Sequence, residues 1–177
     1  MTQVEDVDCF LKPITLQEVE SILRGFKKDK SPGPDGWLVE FFLAFFVLFG
    51  EELVLAAEHV RTEGCFLGSI NSTFLTLIPK CENTSTFADF HPISLCNLVY
   101  KIISKIATLR LKPLLNRTIS AQQFGFLKER QITEPIGITQ EVLHSIKTKN
   151  ASVIFLKLDL IKAFDRVNST FLRLLLL

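Results

Sequence analysis

The spacing of apolar and polar positions predicts several helices. Apolar residues that recur three and four apart fall on one face of a helix, and this spacing returns in successive segments. The first predicted helix begins after Thr15 and ends at about Phe26. Three more cover about 38–63, 98–112 and 135–149, and a final helix begins after Ser169 or Thr170. Thr15 and Glu18 fit a capping box, in which each side chain bonds the other residue's backbone N–H. Gly64 fits the end of the second helix, and Gly50 is its predicted position of bending.

Shorter β-prone stretches predict strands. FLTLI at 74–78 and PISL at 92–95 flank a polar loop, so we expect them to pair as a hairpin. VIFLKLDL at 153–160 predicts a further, buried strand, because most of its residues are apolar. The predicted order is helices, a hairpin, more helices and then a strand. This order indicates an α+β fold rather than one built of alternating βαβ units.

Two segments with unusual composition lie near the start of the chain. KKDKSPGPDGW at 27–37 must end the preceding helix, since two prolines fix φ while Gly33 and Gly36 permit positive φ. It lacks the G-x-x-x-x-G-K-[ST] pattern of a phosphate-binding loop. The apolar run FFLAFFVLFG at 41–50 is about half as long as a membrane span, so it favours a buried helix.

Composition excludes several classes of protein. With 47% hydrophobic and 22% charged residues among 177, the chain can bury a core and is not disordered. Its four cysteines and three histidines are scattered, without a CxxC pair, which argues against a disulfide scaffold or a zinc site. The first ten residues, MTQVEDVDCF, do not fit a secretory signal. We therefore expect an intracellular protein, nuclear or cytoplasmic, with no membrane partner; its oligomeric state is not indicated.

The net charge of +1 hides an asymmetry. Residues 1–63 carry 6 Lys/Arg and 12 Asp/Glu, whereas residues 64–177 carry 14 and 7. In the helix predicted over 98–112, Lys101, Lys105 and Lys112 fall on one face. Such a face is either simply solvated or a contact for a polyanion.

Asp159 follows the apolar residues of the last predicted strand, where an unpaired buried carboxylate would cost several kcal/mol. It has three interpretations. It can cap the following turn, or it can be the carboxylate of a nucleotide hydrolase, which the missing phosphate-binding lysine disfavours. It can also be a metal ligand, which requires further ligands.

From about Pro13 to Leu172 the chain resembles the reverse transcriptase region of LINE-type (non-LTR) retrotransposons, in the form common in plant genomes. Six stretches match in the order of the family. They are KSPGPDG at 30–36, LIPK at 77–80, DF-x-PISLCN at 89–97, YKIISKIATLRLKPLL at 100–115, ISAQQ-x-GF at 119–126 and KLDLIKAFDRV at 157–167. One match would be weak, but six in register are very specific.

The resemblance implies part of a right-hand polymerase. Residues 1–150 would be fingers, and 151–177 would begin the palm with its first strand. The implied function is an RNA-directed DNA polymerase fragment that is inactive by itself. The alternative is a non-catalytic retrotransposon remnant that at most binds nucleic acid.

The resemblance also implies roles for individual residues, with Mg²⁺ as cofactor and an RNA template, a DNA primer and deoxynucleoside triphosphates as partners. Asp159 matches the first catalytic aspartate and, with the backbone carbonyl of Leu160, would bind the metal. Phe164 matches the aromatic residue under the nucleotide sugar, although core packing is its alternative, and Asp165 and Arg166 would shape the turn. His91 and Arg130 would meet the nucleotide. The expected template contacts are Lys80, Lys101, Lys105, Lys112 and Lys128.

The sequence departs from the family in four places, one of which is Pro135, where the family has a polar residue. His91 stands where the family has arginine, and Glu129 replaces the glycine of a K-G-R turn, which puts Lys128 and Arg130 in doubt. The family's second carboxylate motif, aromatic-x-Asp-Asp, has no match, since no two aspartates are adjacent.

Overall fold

The computed structural model describes residues 11–127, 130–160 and 166–175. These residues fall into two compact units, one ending at Glu129 and the other beginning at Arg130. Both helices and strands are present, as the α+β prediction requires. The elements of the first unit are α1 (Leu16–Gly25), α2 (Val39–Ala44), α3 (Phe46–Glu63), β1 (Thr73–Pro79), β2 (Phe90–Cys96) and α4 (Leu98–Thr118). Those of the second unit are α5 (Thr133–Thr148) and α6 (Ser169–Leu175).

The core of the first unit lies among its helices. Val19 and Leu23 of α1 are completely buried, and Ile102 of α4 is 1% exposed. Buried residues of α2 and α3 complete this cluster, so the predicted apolar faces meet each other. Each large side chain buried in such a core contributes about 2–5 kcal/mol relative to alanine. The cluster's further buried members are Ile14, Ile22, Phe42, Leu53, Ala57, Leu98, Ile103 and Ile106.

The predicted hairpin is present. β1 and β2 pair in antiparallel fashion, with Leu77 opposite Pro92 and Ile78 opposite His91. Asp89 holds the connecting loop, because its carboxylate accepts the backbone N–H groups of Ser85 and Thr86 at 3.0 and 2.9 Å. These bonds lower the pKa of Asp89, and the bond from the Thr86 N–H has the largest effect. These bonds therefore hold the conformation of the loop that connects the two strands.

Two predictions about the helices are wrong, the bend at Gly50 within one helix over 38–63 and the helix end at Pro113. The chain breaks between α2 and α3 at Phe45, with φ −109° and ψ 24°, and not at Gly50. Gly50 is buried, and a Cβ there would come within 2.8 Å of Leu16 Cδ1, so a glycine is needed for close packing. Helix α4 does not stop at Pro113 but continues to Thr118. Proline removes one backbone donor, and the residues beyond it keep their own helical bonds.

The strand predicted over 153–160 does not form. Residues 151–160 have no regular secondary structure, and the large apolar side chains of this stretch are exposed. A strand requires a neighbour to bond its N–H and C=O groups, and no strand of the described residues takes that position. The helix that follows is capped by Asn168, not by Ser169 or Thr170. The Asn168 carboxamide oxygen accepts the backbone N–H groups of Thr170 and Phe171 at 2.8 and 3.2 Å.

The apolar run 41–50 is only partly buried, which corrects the prediction of a buried helix. Phe42 is 8% exposed, whereas Val47 is 97% and Leu48 is 69% exposed. One face of a helix reaches the core, and the run is apolar all round. None of the helices among the described residues is long and apolar enough to cross a membrane.

Glu58 links α3 to the segment that leads into α1. Its carboxylate accepts the Arg61 Nε–H group at 2.8 Å and the backbone N–H of Ile14. The hydrogen bond from Arg61 is the largest cause that lowers the pKa of Glu58 below 4.5, and the bond from Ile14 acts in the same direction. Burial of the carboxylate opposes both. The ionised form therefore stabilises the fold above the unfolded pKa, and this contribution is lost as the pH falls through the folded value.

We expect Glu58→Gln to lower the free energy of unfolding at pH 7 by about 1–2 kcal/mol, because the amide loses a charged hydrogen bond. The difference from the unsubstituted chain should shrink as the pH falls below 4.5, the pKa of an unperturbed glutamate. Urea unfolding at a series of pH values measures it. Glu63→Gln, at an exposed position near the end of α3, is the control and should change little. A difference that stays constant down to about pH 3 would contradict the assigned cause.

Candidate nucleic-acid interface

The proline- and glycine-rich loop between α1 and α2 is fixed to the start of α4. Asn97, which is 5% exposed, accepts the backbone N–H of Asp35 at 3.2 Å and donates to the carbonyl of Ser69 at 2.8 Å. A Cβ at Gly33 would lie 2.5 Å from the backbone N of Asn97, so Gly33 is required for this close approach. The predicted positive φ occurs at Gly36, at 74°. The loop is thus held against the N-terminal end of α4.

A cavity of about 320 Å³ lies between this loop and α4. Three lysines line it, Lys27, Lys30 and Lys101, and no acidic side chain does. The other lining residues are mostly apolar: Phe26, Ser31, Pro32, Trp37, Leu38, Val39 and Leu98. Of this set, sequence reasoning identified only Lys101. The signal in the sequence that could have indicated this cavity is the presence of KKDK and a tryptophan in one loop, at 27–30 and 37.

Helix α4 carries the predicted basic face. Lys101 is half-buried at the cavity, Lys105 is exposed, and Lys112 is half-buried further along the helix. Because α4 is continuous through all three positions, they keep the common direction that a step of about 100° per residue gives them. This face has the charge and the spacing to contact successive phosphates of a nucleic acid.

Arg110, in contrast, belongs to the interior. Its guanidinium forms a forked ion pair with Glu18, with Nε–Oε1 and Nη2–Oε2 distances of 3.1 and 2.7 Å. It also donates to the carbonyls of Lys12 and Pro13 at 2.6 and 3.2 Å. Snorkelling therefore does not explain this residue.

The ion pair also affects the predicted capping box at the start of α1. Because Glu18 pairs with Arg110, only half of that box forms, in which Thr15 Oγ1 accepts the Glu18 N–H at 3.2 Å.

Two predicted site residues lie on the hairpin. His91 is exposed on β2, and Lys80 is exposed just beyond β1. The Lys80 ammonium donates to the carbonyl of Ala88 at 2.7 Å, across the loop. Lys80 thus stabilises the hairpin, and its ammonium keeps two further N–H donors for a template contact.

The remaining predicted site residues lie in or near the second unit. Asp159 and Leu160 are exposed in the irregular stretch 151–160, and Arg130 is half-buried. Lys128 and Phe164 are outside the described residues, as are Glu129 and Asp165. The first unit thus brings together Lys101, Lys105 and Lys112, and the described residues around Asp159 form no enclosed site.

The described residues do not by themselves fit a magnesium ion. Across the parts of the chain that the structure describes, no three His, Cys, Asp or Glu side chains come together as metal ligands. Asp159 and the Leu160 carbonyl would supply two ligands, whereas Mg²⁺ takes about six oxygens. Further ligands are needed for the predicted metal site.

The comparison with known families decides what the chain is. The family described as reverse transcriptase (RNA-dependent DNA polymerase) matches residues 78–173, which are 96 of the 177 residues. The chain belongs to the reverse transcriptase family. This match begins at the end of β1 and includes β2, α4, α5 and the stretch that contains Asp159.

One relative of this reverse transcriptase chain is a protein of a transposon. The chain is 34% identical over 160 residues to the transposon TX1 uncharacterized 149 kDa protein of Xenopus laevis. The aligned part covers 90% of this chain and 12% of that protein. The predicted reverse transcriptase region is thereby confirmed, while its assignment to the plant form stays a prediction.

Proposed function

We propose that this reverse transcriptase chain is part of an RNA-directed DNA polymerase of a non-LTR retrotransposon. The observation that carries the proposal is the family match, which spans residues 78–173 and so extends from the end of β1 past Asp159. Residues 1–150 would serve as fingers and 151–177 as the start of the palm. The substrates would be an RNA template, a DNA primer and deoxynucleoside triphosphates.

Asp159 is the proposed catalytic carboxylate. It is exposed, so a metal ion can reach it, and the Leu160 carbonyl follows it directly in the chain. In the polymerases of this family the ions are divalent, and Mg²⁺ is the proposed cofactor. The other carboxylates would have to come from outside the 177 residues, because these contain no adjacent aspartates. We therefore propose that the chain alone does not synthesise DNA.

The basic face of α4 is the proposed contact for the template. Lys101, Lys105 and Lys112 would bind phosphates, a contact that is independent of sequence and weakens with salt. Nucleotide contacts are proposed for His91 and Arg130, together with Phe164. Lys80 and Lys128 complete the proposed template contacts.

One observation favours the alternative, a non-catalytic remnant that only binds nucleic acid. The stretch 151–160 has no partner strand among the described residues, so no sheet supports the position of Asp159. A catalytic carboxylate needs a support that fixes its geometry to within about 0.5 Å. The two functions share the nucleic-acid contact and differ in synthesis.

The shared contact is tested with an RNA–DNA duplex labelled for fluorescence anisotropy. We expect binding that weakens with salt, and we expect Lys101→Gln, Lys105→Gln and Lys112→Gln together to reduce the slope of log K against log salt by about 2–3. The reason is that each lost phosphate contact removes nearly one released counterion.

The matched control replaces three lysines outside the proposed face, Lys28, Lys147 and Lys149, by glutamine. It has the same net charge as the test variant, so it should keep the salt slope if local contacts matter. Equal losses in both variants would show that only the total charge counts. Absence of binding by the unsubstituted chain would overturn the proposed template contact.

A further inference from the structure

The cavity beside the proline- and glycine-rich loop combines two chemical features. Its walls are mainly apolar and aromatic, from Phe26, Trp37 and Leu98, and Lys27, Lys30 and Lys101 also line it. At about 320 Å³ it lies at the small end of the range of ligand-binding pockets. A ligand that fits both features is flat and apolar at one end and anionic at the other.

Trp37 is held in place as a platform. Its ring centroid lies 4.1 Å from that of Phe41 with an interplanar angle of 32°, yet 47% of the residue remains exposed. Its backbone N–H donates to the Asp35 carboxylate at 3.2 Å, and the Asp35 N–H donates to Asn97. The ring is therefore supported on one side and available to a ligand.

Two acidic side chains of the neighbourhood, those of Asp35 and Glu40, bond to backbone groups. The Asp35 carboxylate accepts the Trp37 N–H, and the Glu40 carboxylate accepts the backbone N–H of Asp29 at 2.7 Å. This bond is the first cause that lowers the pKa of Glu40, so the group stays ionised. Neither side chain lines the cavity, which leaves the three ammonium groups without a lining acid.

We propose that this cavity binds one unpaired nucleotide of a single-stranded nucleic acid. The base would stack on Trp37, and its flanking phosphates would pair with Lys27, Lys30 and Lys101. Stacking of a base on an aromatic side chain accepts any base, and lysine contacts to phosphate are equally unselective. The inference rests on the proposed function, since it assigns the loop 27–37 to the same nucleic-acid template.

The expected ligand is single-stranded RNA or DNA. Neither contact reads the 2′-hydroxyl, so the two sugars should bind alike. A base within a duplex is stacked on both sides and cannot reach the ring, so a duplex should not occupy the cavity. The site would therefore hold strand that is not paired with the primer.

Trp37 is the chain's only tryptophan, so its fluorescence reports on this cavity directly. We expect a single-stranded oligonucleotide, RNA or DNA, to quench it at low salt. An abasic oligonucleotide of equal length should bind about tenfold more weakly and without quenching, since it offers phosphates but no base. Lys27→Gln with Lys30→Gln should lower the salt slope for the single strand by about 1.4.

Lys28→Gln is the matched control, because Lys28 belongs to the same loop but does not line the cavity. It should lower the slope by less than half as much as either single variant, Lys27→Gln or Lys30→Gln. Trp37→Phe keeps an aromatic ring and should retain most of the single-strand affinity in anisotropy, whereas Trp37→Ala should lose about tenfold. Unfolding curves of each variant check that the fold is kept.

Several outcomes would overturn the inference. Equal quenching by the abasic and the base-containing strand excludes stacking, and quenching by an acidic peptide of equal charge excludes a nucleotide site. If the single strand binds in anisotropy without any change in Trp37, the cavity is not the site, while the proposed template contact on α4 still stands. If the RNA–DNA duplex fails to bind α4 but the single strand quenches Trp37, the α4 contact falls and the cavity is retained.

Discussion

Asp159→Asn is expected to lower the rate of primer extension about 10³-fold in a polypeptide that continues this chain through an aromatic-x-Asp-Asp segment. Asparagine keeps the size of the side chain but removes the charge that binds a divalent cation. A bound ion contributes several kcal/mol to transition-state stabilisation, and each step of about 1.4 kcal/mol is a factor of about ten. The measurement is incorporation of labelled deoxynucleotide on an RNA template with Mg²⁺. The 177-residue chain by itself should give no incorporation, whether or not it carries the substitution.

The fold should not change in this variant, because Asp159 is exposed and lies outside the helical core. Glu51→Gln, at an exposed acid on α3, is the control and should extend primers like the unsubstituted polypeptide. Synthesis by the 177-residue chain that depends on Asp159 would show that it already holds a complete site. Undiminished synthesis by Asp159→Asn would remove this residue from the metal site.

Arg110→Met is expected to reduce the free energy of unfolding by about 2–4 kcal/mol. The side chains of Arg110 and Glu18 are only 9% and 25% exposed, so the substitution strands a carboxylate that is largely withdrawn from water. It also leaves the carbonyls of Lys12 and Pro13 without their donor. Methionine retains most of the apolar volume, which limits the loss from packing. Urea unfolding followed by far-ultraviolet circular dichroism measures the change.

Helix α1, which contains Glu18, also has an exposed ion pair that serves as a comparison. Arg24 and Glu20 form a 2.6 Å contact with side chains 70% and 36% exposed. Arg24→Met should therefore cost no more than about 0.5 kcal/mol, since exposed pairs are solvated and screened. Similar costs for Arg24→Met and Arg110→Met would mean that burial of the Arg110 pair has no energetic consequence.

Local signals in the sequence were sufficient for the elements that depend on local interactions. The hairpin follows from β-prone stretches on either side of a polar loop, and the end of α3 follows from Gly64, whose φ is 68°. Thr15 marks the start of α1 because its hydroxyl bonds an N–H only three residues away. In each case the deciding interaction joins neighbouring residues.

The failures occur where the deciding partner is distant or missing. Arg110 pairs with Glu18, 92 positions earlier, and Gly33 packs on Asn97, so no local pattern reveals either contact. The cavity beside Trp37 likewise combines a loop with the first turn of α4. The stretch 153–160 reads as a strand, yet strand formation requires a neighbour that the described residues do not provide. For Asp159, the local sequence left three alternatives, and its catalytic role, implied only by the resemblance to the family, stays a prediction.

The hairpin has a practical consequence for work with this chain. It is a two-stranded ribbon whose strands show no buried residue, and Phe74, Leu75 and Ile93 are among its exposed apolar side chains. Its outer edges offer backbone donors and acceptors that no further strand of the described residues pairs with, a surface prone to sideways association between molecules. Substitutions on this hairpin will therefore alter concentration-dependent aggregation more than the melting temperature of the helical core. Charged replacements at Leu75 or Ile93 are the rational first step when handling the chain at high concentration.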